Sequence, residues 1–334
     1  MKKGWKRFWI ACLIIIGIGV VLLGIGAVAG ARPQEVADAI DNGWYWGPFM
    51  RGPSKYTSTE DKTYSFADVT ELKLDLDAIT CVVQSGNVDA VMVEATNFNS
   101  HYEISCDQDG AKLTVKTKIS GDWLGRIHFF YNEEPTVTIT VPDDTRYKTL
   151  NVDGSVGNYE INNISADKMK INVDAGELYI TGISTDELDL EVSAGNVELQ
   201  KGSASEKMKI EVGAGEVSAY DISTGALEVE VSLGRAVIDG YSVSEAKFSV
   251  GAGDLTGYGK ATEKTKIDCN LGNVELVLNG KESDYDYSVD CGVGDVSVGD
   301  YTYSGLGNAK AVDNNGQYEL DINCGAGTVK VEFE

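Results

Sequence analysis

The stretch MKINVDAGELYI (169–180) returns along the chain as LDLEVSAGNVEL (188–199), MKIEVGAGEVSA (208–219), LEVEVSLGRAVI (227–238), AKFSVGAGDLTG (246–257) and TKIDCNLGNVEL (265–276). Each copy alternates apolar and polar residues, passes through a glycine and resumes the alternation. The motif glycines are Gly157, Gly176, Gly195, Gly215, Gly234, Gly253, Gly272, Gly294 and Gly327, at intervals of 19, 19, 20, 19, 19, 19, 22 and 33 residues. Alternation with a period of two marks a strand with one buried face. A fixed period of about 20 residues marks a solenoid, each repeat being one coil stacked on the last. The expected fold class is all-β: a parallel β-solenoid, or β-helix, of 19–20-residue coils over 146–334.

With each glycine as origin, the position seven before it holds Leu150, Met169, Leu188, Met208, Leu227, Ala246, Thr265, Tyr287 and Leu320. Five before stand Val152, Ile171, Leu190, Ile210, Val229, Phe248, Ile267, Val289 and Ile322, and two after stand Tyr159, Leu178, Val197, Val217, Ala236, Leu255, Val274, Val296 and Val329. These columns are expected to point inward. The columns four before the glycine (Asp153, Glu191, Glu211, Asp268, Asp290) and just after it (Glu177, Glu216, Asp254, Asp295) are polar and expected to face water. Lys170, Asp189, Lys209, Glu228 and Lys247, six before, alternate in sign, which suits weak ion pairs between neighbouring coils. The glycine itself is expected at φ > 0, at a corner between two strands.

The chain has 334 residues and a formal charge of −24. Residues 1–7 form a basic end (Lys2, Lys3, Lys6, Arg7), and residues 8–30 carry no charge, enough for a single transmembrane helix. The positive-inside rule leaves the basic end cytoplasmic and all that follows outside. A cleaved signal peptide is the competing reading, since Ala27-Val28-Ala29 resembles a cleavage box. Either way the acidic remainder lies outside the cytoplasm, where it repels nucleic acid and anionic lipid.

Residues 31–64, with Pro33, Pro48 and Pro53, read as a stalk, and 65–145 as an irregular β module that caps the first coil. Within that module Gly86-Asn87-Val88 falls in the motif position of a divergent repeat, and Asp109-Gly110 suits a hairpin. Trp44, Trp46 and Phe49 in the stalk, and Trp123, Phe129, Phe130 and Tyr131 in the segment 121–135, are candidate contact residues; packing against the β domain is the alternative for both. The long interval from Gly294 to Gly327 implies an insertion near 300–317, expected to bulge as a loop and carrying two further candidates, Tyr301 and Tyr303. The last coil ends on VKVEFE, shielded only by its charges.

Little points to chemistry. There are two histidines and no Cys-x-x-Cys pair, phosphate loop, nucleophile elbow or zinc motif. The outward carboxylates lack a calcium-loop spacing and read as solvated surface, so no catalytic residue, metal ligand or cofactor is expected. Cys269, Cys291 and Cys324 stand three before their glycines, where earlier coils hold valine, and so fall in consecutive coils; a buried thiol stack and an inter-coil disulfide both fit. Cys81 and Cys106 are a further candidate pair.

A basic end, one membrane helix and coils of the type LDLEVSAGNVELQKGSASEKMKIEVGAGEV together resemble the bacterial putative-adhesin family, membrane-anchored or secreted β-solenoids. The resemblance covers roughly 65–334 and implies a non-enzymatic cell-envelope protein, an adhesin or surface scaffold, with no catalytic residues to carry over. Its partners would be the membrane, through residues 8–30, and an envelope protein or cell-wall polymer. An accessory role in envelope-stress signalling is the alternative, and a polysaccharide-active β-helix enzyme a third.

Overall fold

Solenoid coils form because five inward columns, seven, five and three before each motif glycine and two and four after it, repeat at the same offsets, so any coil can lay its apolar face on the next. The structure, a computed structural model, describes residues 60–98, 102–119, 135–304 and 308–334. These form one 19-stranded sheet, with a 3-10 turn at Glu282–Asp284 and no α-helix among the described residues. The expected membrane helix (8–30) and the aromatic candidates Trp44, Trp46, Phe49, Trp123, Phe129, Phe130 and Tyr131 lie outside the described residues. Among the described residues no helix is long and apolar enough to cross a membrane.

The regular coils are single long strands bent at the motif glycine. β8 (Arg146–Asn162), β9 (Ser165–Thr181), β10 (Ser184–Gln200) and β11 (Ser203–Tyr220) carry one corner each, and β12 (Ser223–Cys269) carries two. Neighbours are parallel and in register, so Gly157, Gly176, Gly195, Gly215 and Gly234 pair in turn. The predicted inward columns are buried: Met169, Leu188, Met208 and Leu227 stack, as do Ile171, Leu190, Ile210 and Val229. They belong to one apolar core that runs from Val69 to Val331. Thr265 replaces an apolar residue in its column, and its buried hydroxyl has no hydrogen-bond partner.

The corner excludes side chains by close approach. A Cβ built on Gly195 would fall under 3.0 Å from the carbonyl oxygen of Gly176, and each corner glycine meets its neighbour's backbone in the same way. Positive φ holds at five corners, Gly157 to Gly234 (134° to 155°), but at none of Gly253, Gly272, Gly294 and Gly327. Contact with the next coil, rather than backbone handedness, is therefore the requirement shared by all nine.

The stacking order departs from the chain order at both ends. β2 (Glu71–Leu76) and β3 (Ile79–Gly86) form the coil next to β8, with Leu72, Leu74, Leu76, Cys81 and Val83 in the five inward columns. Ile79, not Gly86, occupies the corner opposite Gly157, seven residues earlier than the motif suggested. The inward columns match either way, and only they are needed to stack. Outside that coil lies another, formed by β6 (Lys112–Ile119) and β7 (Thr136–Pro142). β4 (Val91–Phe98) and β5 (Tyr102–Asp109) run antiparallel to β7 and β6 and cover it, and β1 (Glu60–Phe66) borders β4. β5 and β6 are joined by the expected hairpin at Gly110 (φ 58°).

The C-terminal end is built alike with the chain direction reversed. The coil of β12 and β13 (Asn273–Leu278) pairs with β18 (Tyr318–Cys324) and β19 (Thr328–Phe333), the last coil of the chain. Only beyond it come β14 (Tyr285–Cys291) and β15 (Asp295–Val298). The insertion does not bulge as a loop: β16 (Tyr301–Ser304) and β17 (Asn308–Val312) run antiparallel to β15 and β14 and cap the rod. The VKVEFE strand accordingly lies inside the stack, and the cap takes the exposed edge. Tyr303 helps to hold the cap, its hydroxyl 3.3 Å from that of Tyr287.

Candidate interaction surface

The bend at each glycine fixes what the rod shows to solvent. Inward columns stand three before and two after the glycine, so the four positions between them wrap around the outside of the corner. The residue immediately before the glycine is apolar in every coil: in stacking order Val156, Ala175, Ala194, Ala214, Leu233, Ala252, Leu271, Ala326 and Val293. Val156, Leu233, Leu271 and Val293 are 48%, 52%, 65% and 67% exposed. The result is an aliphatic ridge along an acidic rod, one residue per strand spacing of about 4.8 Å. The period-two pattern hides it, because an apolar residue beside an inward column looks like core; the signal was a sixth apolar column whose outward direction follows only from the bend.

The ridge is flanked by the polar columns, which face water as expected. Cross-coil ion pairing is present in part: Lys170 reaches Asp189 (3.0 Å) and Lys247 reaches Glu228 (2.7 Å), while Lys209 turns along its own strand to Glu211 (2.6 Å). Glu228 also meets Lys207 (2.7 Å), and the hydrogen bonds from the two lysines hold its carboxyl down at about 2. Asn172, Asn273 and Asn323 each donate to an aspartate of the neighbouring coil, Asp153, Asp254 and Asp268 (2.8, 2.8 and 2.9 Å). Such links tie coils together and use oxygens that a cation would need.

A cleft of about 570 Å³ lies over the first coils, lined by Asp75, Asp77, Asp153, Asp174 and Glu191 among others. Ser155 donates to the Asp77 carboxylate (2.9 Å) and the Asp77 amide to Thr117 (2.8 Å). No group of three or more His, Cys, Asp or Glu side chains with metal-holding geometry occurs among the described residues. Asp268 and Asp290, adjacent in the sequence reading, are separated by the coil that carries Asn323.

The thiols follow the same reordering. Cys324 lies between Cys269 and Cys291, rather than after both, and all three are buried and unbridged. Each donates to the carbonyl of its own corner glycine: Cys269 to Gly272 (3.3 Å), Cys324 to Gly327 (3.3 Å) and Cys291 to Gly294 (2.9 Å). Cys81 and Cys106 are also unbridged, and burial pushes their thiols up to about 12 and about 11. Of the two tyrosines expected on the insertion, Tyr301 is 57% exposed and Tyr303 is half-buried in the cap.

Comparison with known proteins agrees with this architecture. The family model described as Toastrack DUF4097 matches residues 69–332. The fold is similar to that of a "putative adhesin" from Parabacteroides distasonis ATCC 8503, at 15% identity over 82% of this chain and 97% of that one, with a TM-score of 0.52. A "putative adhesin" from Bacteroides fragilis NCTC 9343 aligns at 11% identity over 84% and 98%, with a TM-score of 0.44. A "putative lipid binding protein" from Parabacteroides distasonis ATCC 8503 aligns at 14% identity over 81% and 96%, with a TM-score of 0.32. No curated protein matches the chain. The family match takes in nearly every strand of the rod, so the chain belongs to the Toastrack DUF4097 family.

Proposed function

We propose that this protein is a non-enzymatic, extracytoplasmic cell-envelope protein that acts as an adhesin or surface scaffold, held at the membrane by residues 8–30. The observation that carries the reading is the exposed aliphatic ridge on an otherwise acidic rod. Water-exposed leucine and valine at regular intervals have no role in the core, and contiguous apolar surface of this kind belongs to contact sites. A glycan-cleaving role finds less support: among the described residues the exposed tyrosines Tyr179, Tyr258 and Tyr301 stand on different coils and offer no common stacking platform. The aromatic segments at 44–49 and 123–131 are further contacts in this reading, as is Tyr301.

Photo-crosslinking in cells, with a photoreactive residue at Leu271 or Tyr301 and the protein at its native level, tests the proposal. Adducts with protein or polymer of the wall or of neighbouring cells are expected. One discrete membrane-protein partner would instead favour the envelope-stress accessory role. Release of cleaved glycan from wall polymer, with no adducts, would return the protein to the polysaccharide-active enzymes.

A further inference from the structure

The ridge carries a finer pattern, seen only in stacking order. In chain order the two residues before the corner read Gly213-Ala214, Ser232-Leu233, Gly251-Ala252, Asn270-Leu271, Gly292-Val293 and Gly325-Ala326, and the alternation of small and bulky pairs lapses at the end. In the stack it does not lapse, because the last coil lies between the other two. Backbone bonds fix that order: Ala326 donates to Asn270 (2.8 Å) and Val293 to Gly325 (2.7 Å). Leu233, Leu271 and Val293 thus stand on every second coil, about 9.6 Å apart, with a Gly-Ala notch beside each.

That spacing selects what can mesh with it. A strand lying along the ridge presents side chains to one face every ~6.8 Å and falls out of step at the second contact. An α-helix repeats a side chain at i and i+7 every ~10.5 Å, within about 1 Å per interval of the knobs. From Ala214 to Val293 the strip is about 24 Å long, the length of a helix of about 16 residues. Charge decides the rest. Glu211, Glu230, Asp268 and Asp290 line one side and Glu216, Asp254 and Asp295 the other; of these, Glu211 and Asp268 already have lysine partners, Lys209 at 2.6 Å and Lys266 at 2.9 Å, and Arg235 is the one cation in the second column.

We infer that the strip from Ala214 to Val293 is a docking site for a basic amphipathic helix of a partner protein. Large aliphatic side chains of the helix at heptad spacing enter the Gly-Ala notches, and its lysines or arginines reach the flanking carboxylates. A second copy of the chain would bring a second charge of −24 to the same strip, and an anionic lipid surface is opposed for the same reason. The inference rests on the surface-contact reading above and adds to it the class of partner.

The test uses the full-length chain in detergent micelles and a synthetic 18-residue helix with leucine at i, i+7 and i+14 and lysine on both sides of that line. Fluorescence anisotropy should show saturable, salt-weakened binding, and none for the same peptide with glutamate in place of lysine. Leu233→Ser combined with Leu271→Ser should weaken binding at least tenfold without moving the melting temperature, since both side chains are exposed. Ala252→Leu should also weaken it, because it fills a notch although it adds apolar surface. Stronger binding to that variant, or binding unchanged by the double serine variant, would overturn the inference. So would self-association of the chain that the double variant abolishes. Crosslinks from Leu271 to wall polymer, with no binding of the peptide, would overturn the helix while leaving the surface-contact function standing.

Discussion

The out-of-order last coil can be tested with two pairs of engineered cysteines. Asn273 and Thr328 are exposed, in-register partners on β13 and β19, and Thr328 is in turn the partner of Asp295 on β15. At the parallel strand spacing the first pair lies about 4.8 Å apart between Cα atoms, and Asn273 and Asp295 about 9.6 Å apart. A disulfide needs roughly 4.4–6.8 Å and fails beyond about 7 Å. Asn273→Cys with Thr328→Cys should therefore crosslink under mild oxidation, and Asn273→Cys with Asp295→Cys should not. The native thiols of Cys269, Cys291 and Cys324 are no more than 3% exposed and should stay out of the reaction. Closing a loop of roughly 55 residues should also stabilise the rod by about 4 kcal/mol in the chain-entropy picture, seen as a rise in the urea midpoint that reductant reverses. Peptide mapping without reduction reads the linkage. Coils stacked in chain order would make Asn273 and Asp295 the neighbours, so a crosslink in the second pair and none in the first would refute the threading described here.

Other perturbations probe the corner, the core and the charge ladder. Gly195→Ala and Gly110→Ala both place a side chain at positive φ, but Gly110 has open space around it and Gly195 has the Gly176 carbonyl; denaturant melts should give about 1 kcal/mol for Gly110→Ala and about 3 kcal/mol or more for Gly195→Ala, and equal losses would mean the corner is not tight. Val212→Asp puts an unpaired charge in a column that is 2% exposed and should cost more than about 4 kcal/mol and abolish cooperative melting; a wild-type melting temperature would reverse the inward and outward columns. The Glu228 carboxyl titrates at about 2 in the fold against an ordinary 4.5, so its contribution is complete above about pH 4.5 and lost as pH falls towards 2. Screening at the half-exposed Lys207 and Lys247 leaves about 1 kcal/mol of it; a Glu228→Gln variant should be less stable than wild type by that amount at pH 7 and equal to it near pH 2, and a difference unchanged with pH would remove the ion pairs from the account.

Much of this was legible in the sequence because a solenoid repeats its instructions. Ile171, Leu190, Ile210 and Val229 occupy one column, and each coil restates which residues turn inward. The nine corner glycines from Gly157 onward were equally legible, since each must let its neighbour's backbone pass; the corner of the preceding coil, Ile79, was not. The sequence by itself thus determined the coil, its period and its two kinds of face. It did not determine which coil lies on which. In a parallel ladder the column of Ile267 accepts Ile322 as readily as Val289, because both are aliphatic residues at the same offset. Local pattern therefore leaves the order of the end coils degenerate, and the choice is made by long-range pairing: β16 and β17 need β15 and β14 as an outer edge to cover, which places the last coil inside. The ridge follows the same logic. Its apolar column is present in the sequence, but its outward direction depends on the bend, and the spacing of Leu233, Leu271 and Val293 exists only once tertiary structure has set the order of the stack.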